Sequence, residues 1–224
     1  MISIIIPVLN EKIRIERLLI ELIRLKENKE ILIIDGGSTD GTQALASKYG
    51  TVISSEKGRA KQMNKGAEEA SGDILWFVHA DSKVSSNSIS EMKIAIDEGY
   101  VGGGFSLKFY DYESFFLKYI ELTSNARAKH FGVFYGDQGI FVKSQLFHKL
   151  GGFRPQDLME DLELSLLLRK AGKLKLITLP IGTSARRFKL NGEIKTHLLM
   201  HKIRFLYLIG FSVKKIAKMY GEVR

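Results

Sequence analysis

Short runs rich in β-branched residues alternate with helix-like segments along the first half of the chain, and this alternation constrains the fold more than any other feature. Residues 2–8, 31–35, 52–54 and 74–78 are predicted strands. Between them, residues 13–25 repeat apolar side chains at helical spacing, and residues 60–70 form a polar-faced helix. This pattern predicts βαβ units, and therefore a mainly parallel sheet with helices on its faces.

The second half is less regular but continues the α/β pattern. Predicted strands lie at residues 102–109, 139–142 and 175–179, and predicted helices at 112–129 and 162–171, before a helical tail. No internal repeat, low-complexity stretch or clear linker interrupts the 224 residues. Because this length suits one sizeable domain and leaves little room for a second, we expect a single α/β domain followed by the tail.

The composition excludes several kinds of site. The chain has no cysteine, so disulfides and thiolate metal sites are ruled out, and any metal must be bound by oxygen or imidazole ligands. The N-terminal residues lack a basic leader and a cleavage site, which predicts a buried strand rather than a signal peptide. No uncharged run approaches the roughly 20 residues of a membrane-spanning helix. We therefore expect a cytoplasmic protein.

The net charge of +9 is concentrated in the tail. Residues 186–224 contain ten Lys or Arg and two acidic residues, whereas residues 1–185 contain 24 and 23. Such a tail could bind the diphosphate of a substrate, an anionic membrane or nucleic acid. Between residues 198 and 210 it interleaves apolar residues with cations, so it either packs on the domain, pairs with a second subunit as a homodimer, or lies peripherally on the inner face of a membrane.

Polar residues follow three of the predicted strands at the point where each strand ends. They are Asn10 and Glu11, then Asp35, then His79 and Asp81. In open α/β sheets, ligands bind beyond the carboxyl ends of the strands. The sequence therefore places its candidate binding residues at one edge of the predicted sheet.

Asp35 stands where a predicted strand turns sharply. Two glycines follow it, and its carboxylate can accept hydrogen bonds from the N–H groups of a base, while the N–H groups of the turn favour anions. The alternative is a structural turn in which Ser38, Thr39 or Asp40 caps the next helix.

The segment His79-Ala80-Asp81 follows an apolar strand, and side-chain alternation would place His79 and Asp81 on the same side. A divalent cation that bridges phosphate oxygens needs a carboxylate here, and Mg²⁺ commonly takes only one or two from the protein. Asp81 is therefore the candidate metal ligand, and the alternative is a cap or turn at Asp81-Ser82.

Further candidates lie in the second half. Glu160 and Asp161 precede an amphipathic helix, whose dipole alone would explain two acids, although one of them could act as a general base. Asp137 and Gln138 occupy a Gly-rich segment that either lines a pocket or only turns into the next strand.

Cationic and polar residues near two helix starts are candidates for contacts with phosphate or ribose. They are Arg59, Gln62 and Asn64 on the third helix, and Arg186 and Arg187 before the tail. Solvated helix charges are the commoner alternative at both places.

In their order and spacing, these motifs resemble the family 2 glycosyltransferases, inverting enzymes of the GT-A fold. The matching segments are residues 6–11, 35–42, 66–81 and 159–161, and the resemblance covers about the whole chain. The basic tail and residues 184–188 are similar to a bacterial subgroup labelled arsenosugar-biosynthesis glycosyltransferases. The resemblance implies one Rossmann-like GT-A domain over residues 1–189, with a nucleotide-binding half (1–100) and an acceptor-binding half (101–189), before a basic amphipathic tail (190–224).

The resemblance also implies roles for individual residues. Pro7, Asn10 and Glu11 would border the nucleotide, and we also assign Ser38 and Ala80 to nucleotide-sugar binding. On the same basis we assign Asp137, Gln138 and Glu160 to acceptor binding. Asp35 would recognise the base, and Asp161 takes the position of the catalytic base. Asp81 takes the last position of the family's Asp-x-Asp metal motif, but His79 stands where the first aspartate is usual. The metal would then be bound through the single carboxylate of Asp81, either with or without help from His79.

The predicted reaction is the metal-assisted, inverting transfer of one sugar from a nucleotide-diphosphate sugar, with a UDP-sugar as expected donor and Mg²⁺ or Mn²⁺ as cofactor. The Gln-x-x-Arg-Trp motif of processive synthases is absent. A lipid-linked acceptor would fit a tail that contacts a membrane, and we expect no nucleic-acid partner. Two alternatives stay open: a sugar-phosphate nucleotidyltransferase and a catalytically inactive nucleotide-sugar-binding protein.

Overall fold

Strands and helices alternate along the first half of the chain as the sequence predicts. The structure, a computed structural model, describes residues 1–221, and residues 222–224 of the predicted tail lie outside the described residues. The strands are β1 (Ile2–Val8), β2 (Lys29–Asp35), β3 (Thr51–Ser54), β4 (Ile74–Phe77), β5 (Gly102–Phe109), β6 (Phe141–Lys143) and β7 (Leu174–Thr183). The helices are α1 (Lys12–Ile23), α2 (Thr42–Ala46), α3 (Arg59–Glu69), α4 (Ser88–Asp97), α5 (Phe115–Phe131), α6 (Ser144–Lys149), α7 (Glu160–Ala171), α8 (Arg186–Asn191), α9 (Glu193–Leu208) and α10 (Val213–Gly221).

The seven strands form one sheet in the order β3-β2-β1-β4-β6-β5-β7. β1 pairs in parallel with β2 and β4, β2 pairs in parallel with β3, and β5 in parallel with β7. β6 runs antiparallel between β4 and β5. The prediction of a mainly parallel α/β sheet is confirmed. Because the strand order reverses beside β1, the crevice between the ends of β1 and β4 is the place where such a sheet binds ligands.

Helices cover both faces of the sheet. Since successive side chains of a strand alternate, Ile4 of β1 packs in the cluster that includes the apolar stripe of α1, and Ile5 packs in the cluster that includes α3. Both isoleucines are fully buried. A strand that is buried on both faces needs an almost continuous apolar run, which explains the sequence of β1.

Helix α3 approaches the sheet closely at Gly66. A β-carbon at this position would lie 2.4 Å from Ile5 Cγ2 and 2.9 Å from Ile34 Cγ1. Only glycine fits there without displacement of the sheet. The close approach brings the first turn of α3, which begins at Arg59, to the carboxyl ends of β1 and β2.

The tail consists of three helices that fold back on the domain. Ile203 of α9 and Ile216 of α10 are buried in one cluster with Leu158, which lies just before α7. Tyr207 of α9 donates a hydrogen bond from its hydroxyl to the carboxylate of Glu163 in α7. Across residues 1–221, no helix is both long and apolar enough to cross a membrane.

Candidate functional site

Hydrogen bonds join the loops that follow β1 and β2. Asn10 Oδ1 accepts from the N–H of Thr39 at 2.8 Å, and the N–H of Asn10 donates to Ser38 Oγ at 2.9 Å. The N–H of Glu11 donates to Thr42 Oγ1 at 2.9 Å. Asn10 has a left-handed backbone with φ of 56°, a conformation that asparagine tolerates better than most residues. The two loops therefore form one surface at the carboxyl edge of the sheet.

Asp35 is fully buried, and its carboxylate organises the turn after β2. Oδ2 accepts hydrogen bonds from the N–H groups of Gly37 and Ser38, both at 2.9 Å, and from Gln43 Nε2 at 2.6 Å. Burial raises the pKa of Asp35, but the hydrogen bonds from Ser38 and Gln43 outweigh it and hold the pKa below its usual value. Oδ1 has no hydrogen-bond partner within the described chain, so it is the atom that can still accept from a ligand.

The loop that carries Asp81 is held through its backbone. Tyr110 donates its hydroxyl to the carbonyl oxygen of Asp81 at 3.0 Å, and the Arg17 guanidinium donates to the same oxygen at 3.3 Å. Arg17 also stacks over the Tyr110 ring at 4.4 Å. Sequence reasoning missed both residues, because neither lies in a motif and their distance from Asp81 along the chain gives no signal.

The surroundings of Asp81 fit a divalent cation. Burial, and then the neighbouring carboxylate of Glu11, raises the pKa of Asp81, so two negative groups repel each other across the crevice. Residues 1–221 contain no cluster of three or more His, Asp or Glu side chains that could hold a metal alone. The carboxylates of Asp81 and Glu11 suit a hard cation that takes one or two protein carboxylates and completes its coordination shell with phosphate oxygens and water.

Asp161 is oriented by the turn that contains Gly136. Its Oδ2 accepts from the N–H of Gly136 at 2.8 Å, and its Oδ1 accepts from the N–H of Leu162 at 2.7 Å. His79 packs on the same turn, because a β-carbon at Gly136 would lie 2.7 Å from His79 Nε2. Met159, two residues before Asp161, has a left-handed φ of 67°, which costs about 1–3 kcal/mol and is maintained by the surrounding structure.

Arg59, the first residue of α3, connects the two halves of the site. Its Nη1 lies 3.7 Å from Oε1 of Glu160, whose side chain is almost fully buried. The guanidinium also lies within electrostatic range of Asp161 and Asp81, and of Tyr220 in α10. The structure therefore brings acidic groups from the end of β4 and the start of α7 around one cation.

Asp137 lies beside this cluster, within electrostatic range of Asp161. Burial raises the pKa of Asp137 to about 6, with Arg127 opposing and Asp161 reinforcing the shift. Its buried Oδ1 has no hydrogen-bond partner within the described chain. Arg127 and Arg204 both stack on the neighbouring Tyr135 ring, at 4.0 and 5.5 Å from its centroid. This side of the site is therefore cationic around a carboxyl group whose pKa is raised by burial.

Three amides that were predicted to bind ligands are used by the fold. Gln62 Nε2 donates to the carbonyl of Val8, the last residue of β1, at 2.8 Å and to that of Ile34, one residue before the end of β2, at 2.7 Å. Asn64 pairs with both backbone groups of Phe153 at 2.8 Å. Gln138 is fully buried and accepts from Arg127 at 2.7 Å. Buried backbone groups need such partners, and a role of these three amides in ligand binding stays a prediction.

The remaining candidates lie at the border of the site. Pro7 is a half-buried residue near the end of β1, and Ala80 is buried in the core between His79 and Asp81. Arg187 stacks on Tyr220 at 4.2 Å, and this ring lies within electrostatic range of Arg59. Arg186 is exposed at the start of α8. Arg187 is therefore connected to the site through Tyr220.

Comparison with known proteins identifies related chains. The model of the glycosyl transferase family 2 matches residues 3–154. The dolichol-phosphate mannosyltransferase of Pyrococcus furiosus is 34% identical over 120 residues, which cover 46% of this chain and 34% of that protein. The undecaprenyl-phosphate 4-deoxy-4-formamido-L-arabinose transferase of Aeromonas hydrophila is 25% identical over 221 residues, which cover 92% of this chain and 66% of that protein. The chain thus spans one third to two thirds of the length of these relatives.

Solved structures show the same architecture. A mannosyltransferase from Pyrobaculum calidifontis, in complex with GDP-Man and Mn²⁺, superposes with a TM-score of 0.70 at 18% identity. The match covers 99% of this chain and 69% of that one. At this identity the similarity is one of fold.

Proposed function

Because the chain belongs to glycosyl transferase family 2, we propose that it transfers one sugar from a nucleotide-diphosphate sugar to an acceptor hydroxyl, with inversion at the anomeric carbon. The observation that supports this most directly is the arrangement of Asp81 and Asp161 around Arg59. Asp81 lies at the switch point of the sheet, where a ligand's phosphates are expected, and Asp161 approaches from the other half of the chain. The division into a nucleotide-binding half (1–100) and an acceptor-binding half (101–189) belongs to the same proposal.

The donor would lie along the carboxyl ends of β1, β2 and β4. Asn10, Glu11 and Ser38 line the joined loops there, and the unpartnered Oδ1 of Asp35 would accept an N–H of the base. A UDP-sugar is the proposed donor. Since the similar mannosyltransferase holds GDP-Man, a GDP-sugar is the comparison to include in any assay.

Mg²⁺ or Mn²⁺ would be held by Asp81, with Glu11 across the crevice and His79 nearby. When bound, the cation supplies positive charge to the diphosphate leaving group. Arg59 lies within electrostatic range of Asp81 and would add a second positive charge for the same group, and Arg187 is a candidate for a further contact. These charges favour cleavage of the anomeric carbon–oxygen bond because negative charge develops on the departing oxygen.

Asp161 would act as the general base. As the acceptor oxygen bonds to the anomeric carbon, the bond to the diphosphate breaks on the opposite face, and the hydroxyl proton moves to the Asp161 carboxylate. The hydrogen bond from Gly136 fixes the direction of that carboxylate before the acceptor arrives. Pre-orientation of this kind lowers the barrier, because the reacting groups need no further ordering.

Substitution of Asp161 by Asn tests the proposal. We expect Asp161→Asn to lower sugar release from a panel of UDP- and GDP-sugars by about 10²–10⁴-fold, as loss of a general base does, while calorimetry shows unchanged donor affinity. Asp157→Asn is the matched control, because it makes the same chemical change on an exposed residue of the loop that precedes α7. Unchanged turnover in Asp161→Asn would remove this residue from the mechanism.

The same assay separates the alternatives. A wild-type protein that binds a nucleotide-sugar but releases no sugar with any donor would be a binding protein. Formation of a nucleotide-sugar from a nucleoside triphosphate and a sugar phosphate would identify a nucleotidyltransferase. Membership of the arsenosugar-biosynthesis subgroup stays a prediction that an acceptor screen would test.

A further inference from the structure

Most large exposed hydrophobic side chains of the described residues lie in two neighbouring parts of the chain. Eleven of fifteen are on α5 or within residues 190–211, and they are Phe115, Tyr119, Leu122, Phe131, Leu190, Ile194, Leu198, Phe205, Leu208, Ile209 and Phe211. Phe115 is 96% exposed and Leu190 74%. A concentration of this size marks an interaction surface rather than ordinary scatter.

Helix α9 has its apolar stripe on the solvent side. Ile194, Leu198, Phe205 and Leu208 recur at helical spacing and are all more than 60% exposed, whereas Ile203 on the other face is buried. Surface helices of soluble domains normally show the reverse arrangement.

Helix α5 repeats this feature and adjoins α9. Its exposed residues Phe115, Tyr119 and Leu122 are spaced by four and three positions. The His197 ring of α9 lies 5.3 Å from the ring of Phe116 and 6.1 Å from that of Tyr119. The two stripes therefore form one surface, which we call the α5–α9 face.

Exposed lysines lie on both helices of the α5–α9 face and on the helix that follows them. Lys195 and Lys202 are exposed between the apolar residues of α9, and Lys118 is exposed on α5. Lys214 and Lys215 are exposed on α10, which follows α9. A two-fold contact with a second copy would bring two copies of this lysine-bearing patch together, which is unfavourable. An anionic lipid surface attracts them while it accepts the apolar stripe.

We propose that the α5–α9 face docks on the surface of an anionic membrane, with its apolar residues in the interface and its lysines at the headgroups. The same two helices carry Arg127 and Arg204, which stack on Tyr135 beside Asp137. Docking would thus bring the acceptor side of the cleft to the headgroups. This last consequence rests on the proposed function, whereas the docking itself does not.

Vesicle sedimentation of the full chain tests the docking. We expect binding to vesicles of equal parts phosphatidylcholine and phosphatidylglycerol that weakens with added salt and is much weaker with phosphatidylcholine alone. The double variant Leu198→Ser/Phe205→Ser should bind anionic vesicles at least tenfold less. Ile13→Ser/Ile94→Ser is the matched control, because it removes two exposed apolar side chains elsewhere and should bind as the wild type does.

Three results would overturn the proposal. One is no sedimentation with anionic vesicles, and another is equal binding by the Leu198→Ser/Phe205→Ser variant. The third is a dimer, seen by analytical ultracentrifugation, that this variant abolishes, because the face would then belong to a second copy. Sugar release from the donor in the absence of vesicles should be unchanged in the variant, so failure to dock is distinguishable from failure of the proposed function.

Discussion

Asp35 and Asp137 differ in pKa because their surroundings differ. Asp35 accepts three hydrogen bonds on one oxygen, which hold its pKa low and its carboxylate ionised. Asp137 has a buried oxygen without a partner, and its pKa is raised to about 6. The same residue type therefore serves as a permanent anion in one loop and as a titrating group in another.

Asp137 should make stability depend on pH. Its pKa in the folded chain, about 6, lies above the ordinary value of 3.8, so folding favours the protonated form and stability is lost as the pH rises between these values. A shift of this size corresponds to about 3 kcal/mol at most. We expect Asp137→Asn to unfold at a higher temperature than the wild type at pH 8, and at a similar temperature near pH 4.

The exposed Asp157 provides the control for that measurement, because Asp157→Asn should leave the pH profile of the unfolding temperature unchanged. If Asp137→Asn stabilised the protein equally at both pH values, the burial of an ionised Asp137 would not be the cause.

Gly136 should matter for turnover more than for donor binding. A β-carbon there would lie 2.7 Å from His79 Nε2 and 3.5 Å from Asp161 Oδ2. Gly136→Ala would therefore displace His79 or the turn whose N–H orients the Asp161 carboxylate, and small displacements of a catalytic group can cost about 10²-fold. We expect kcat for sugar release to fall while KM for the donor stays near the wild-type value. A rise in KM alone would place Gly136 in the donor site instead.

At the scale of elements, the first half was predictable because its signals are local. The bounds of β1 agree with the prediction, since an apolar run defines a strand that is buried on both faces. The antiparallel β6, three residues long, is set by its pairing with β4 and β5, which are distant in sequence. Sequence reasoning gave it no orientation and did not identify α4 or α6.

The sequence likewise identified only part of the candidate site. Asp81 and Asp161 were identified from the ends of elements and from the family resemblance, and the structure brings both near Arg59. Arg127 and Arg204 were not identified, because their meeting at Tyr135 depends on the packing of α5 against α9. Long-range packing of this kind leaves no periodic signal in the sequence.

The contact between α3 and the sheet gives a stability prediction. Gly66→Ala would place a methyl group 2.4 Å from Ile5 Cγ2, and overpacking of this kind costs about 1–3 kcal/mol. The gain in helix propensity, about 1 kcal/mol, offsets only part of this cost. We expect a lower denaturant midpoint for Gly66→Ala. Glu68→Ala, an exposed change two residues away, should stay within about 0.5 kcal/mol of the wild type. Equal midpoints for the two variants would mean that the sheet adjusts without cost.

At the scale of the whole molecule, the tail packs beside the candidate site. α9 and α10 are buried through Ile203 and Ile216 against Leu158, which lies three residues before Asp161. Tyr220 of α10 lies within electrostatic range of Arg59. The basic tail therefore has two sides, one packed on the start of α7 and one that carries the exposed stripe of the α5–α9 face.

Loss of packing under the tail should therefore reach the site. Ile216→Ala removes buried methyl groups, which costs about 2–5 kcal/mol of stability, and loosens the segment that holds the left-handed Met159 before Asp161. We expect a lower unfolding temperature and slower sugar release, with donor affinity largely retained because Asp35 and Asp81 lie on other elements. Ile194→Ala is the matched control, since this isoleucine is 63% exposed, and it should change neither stability nor turnover in the absence of vesicles. A fall in stability without a fall in turnover would show that the start of α7 keeps its geometry independently of the tail.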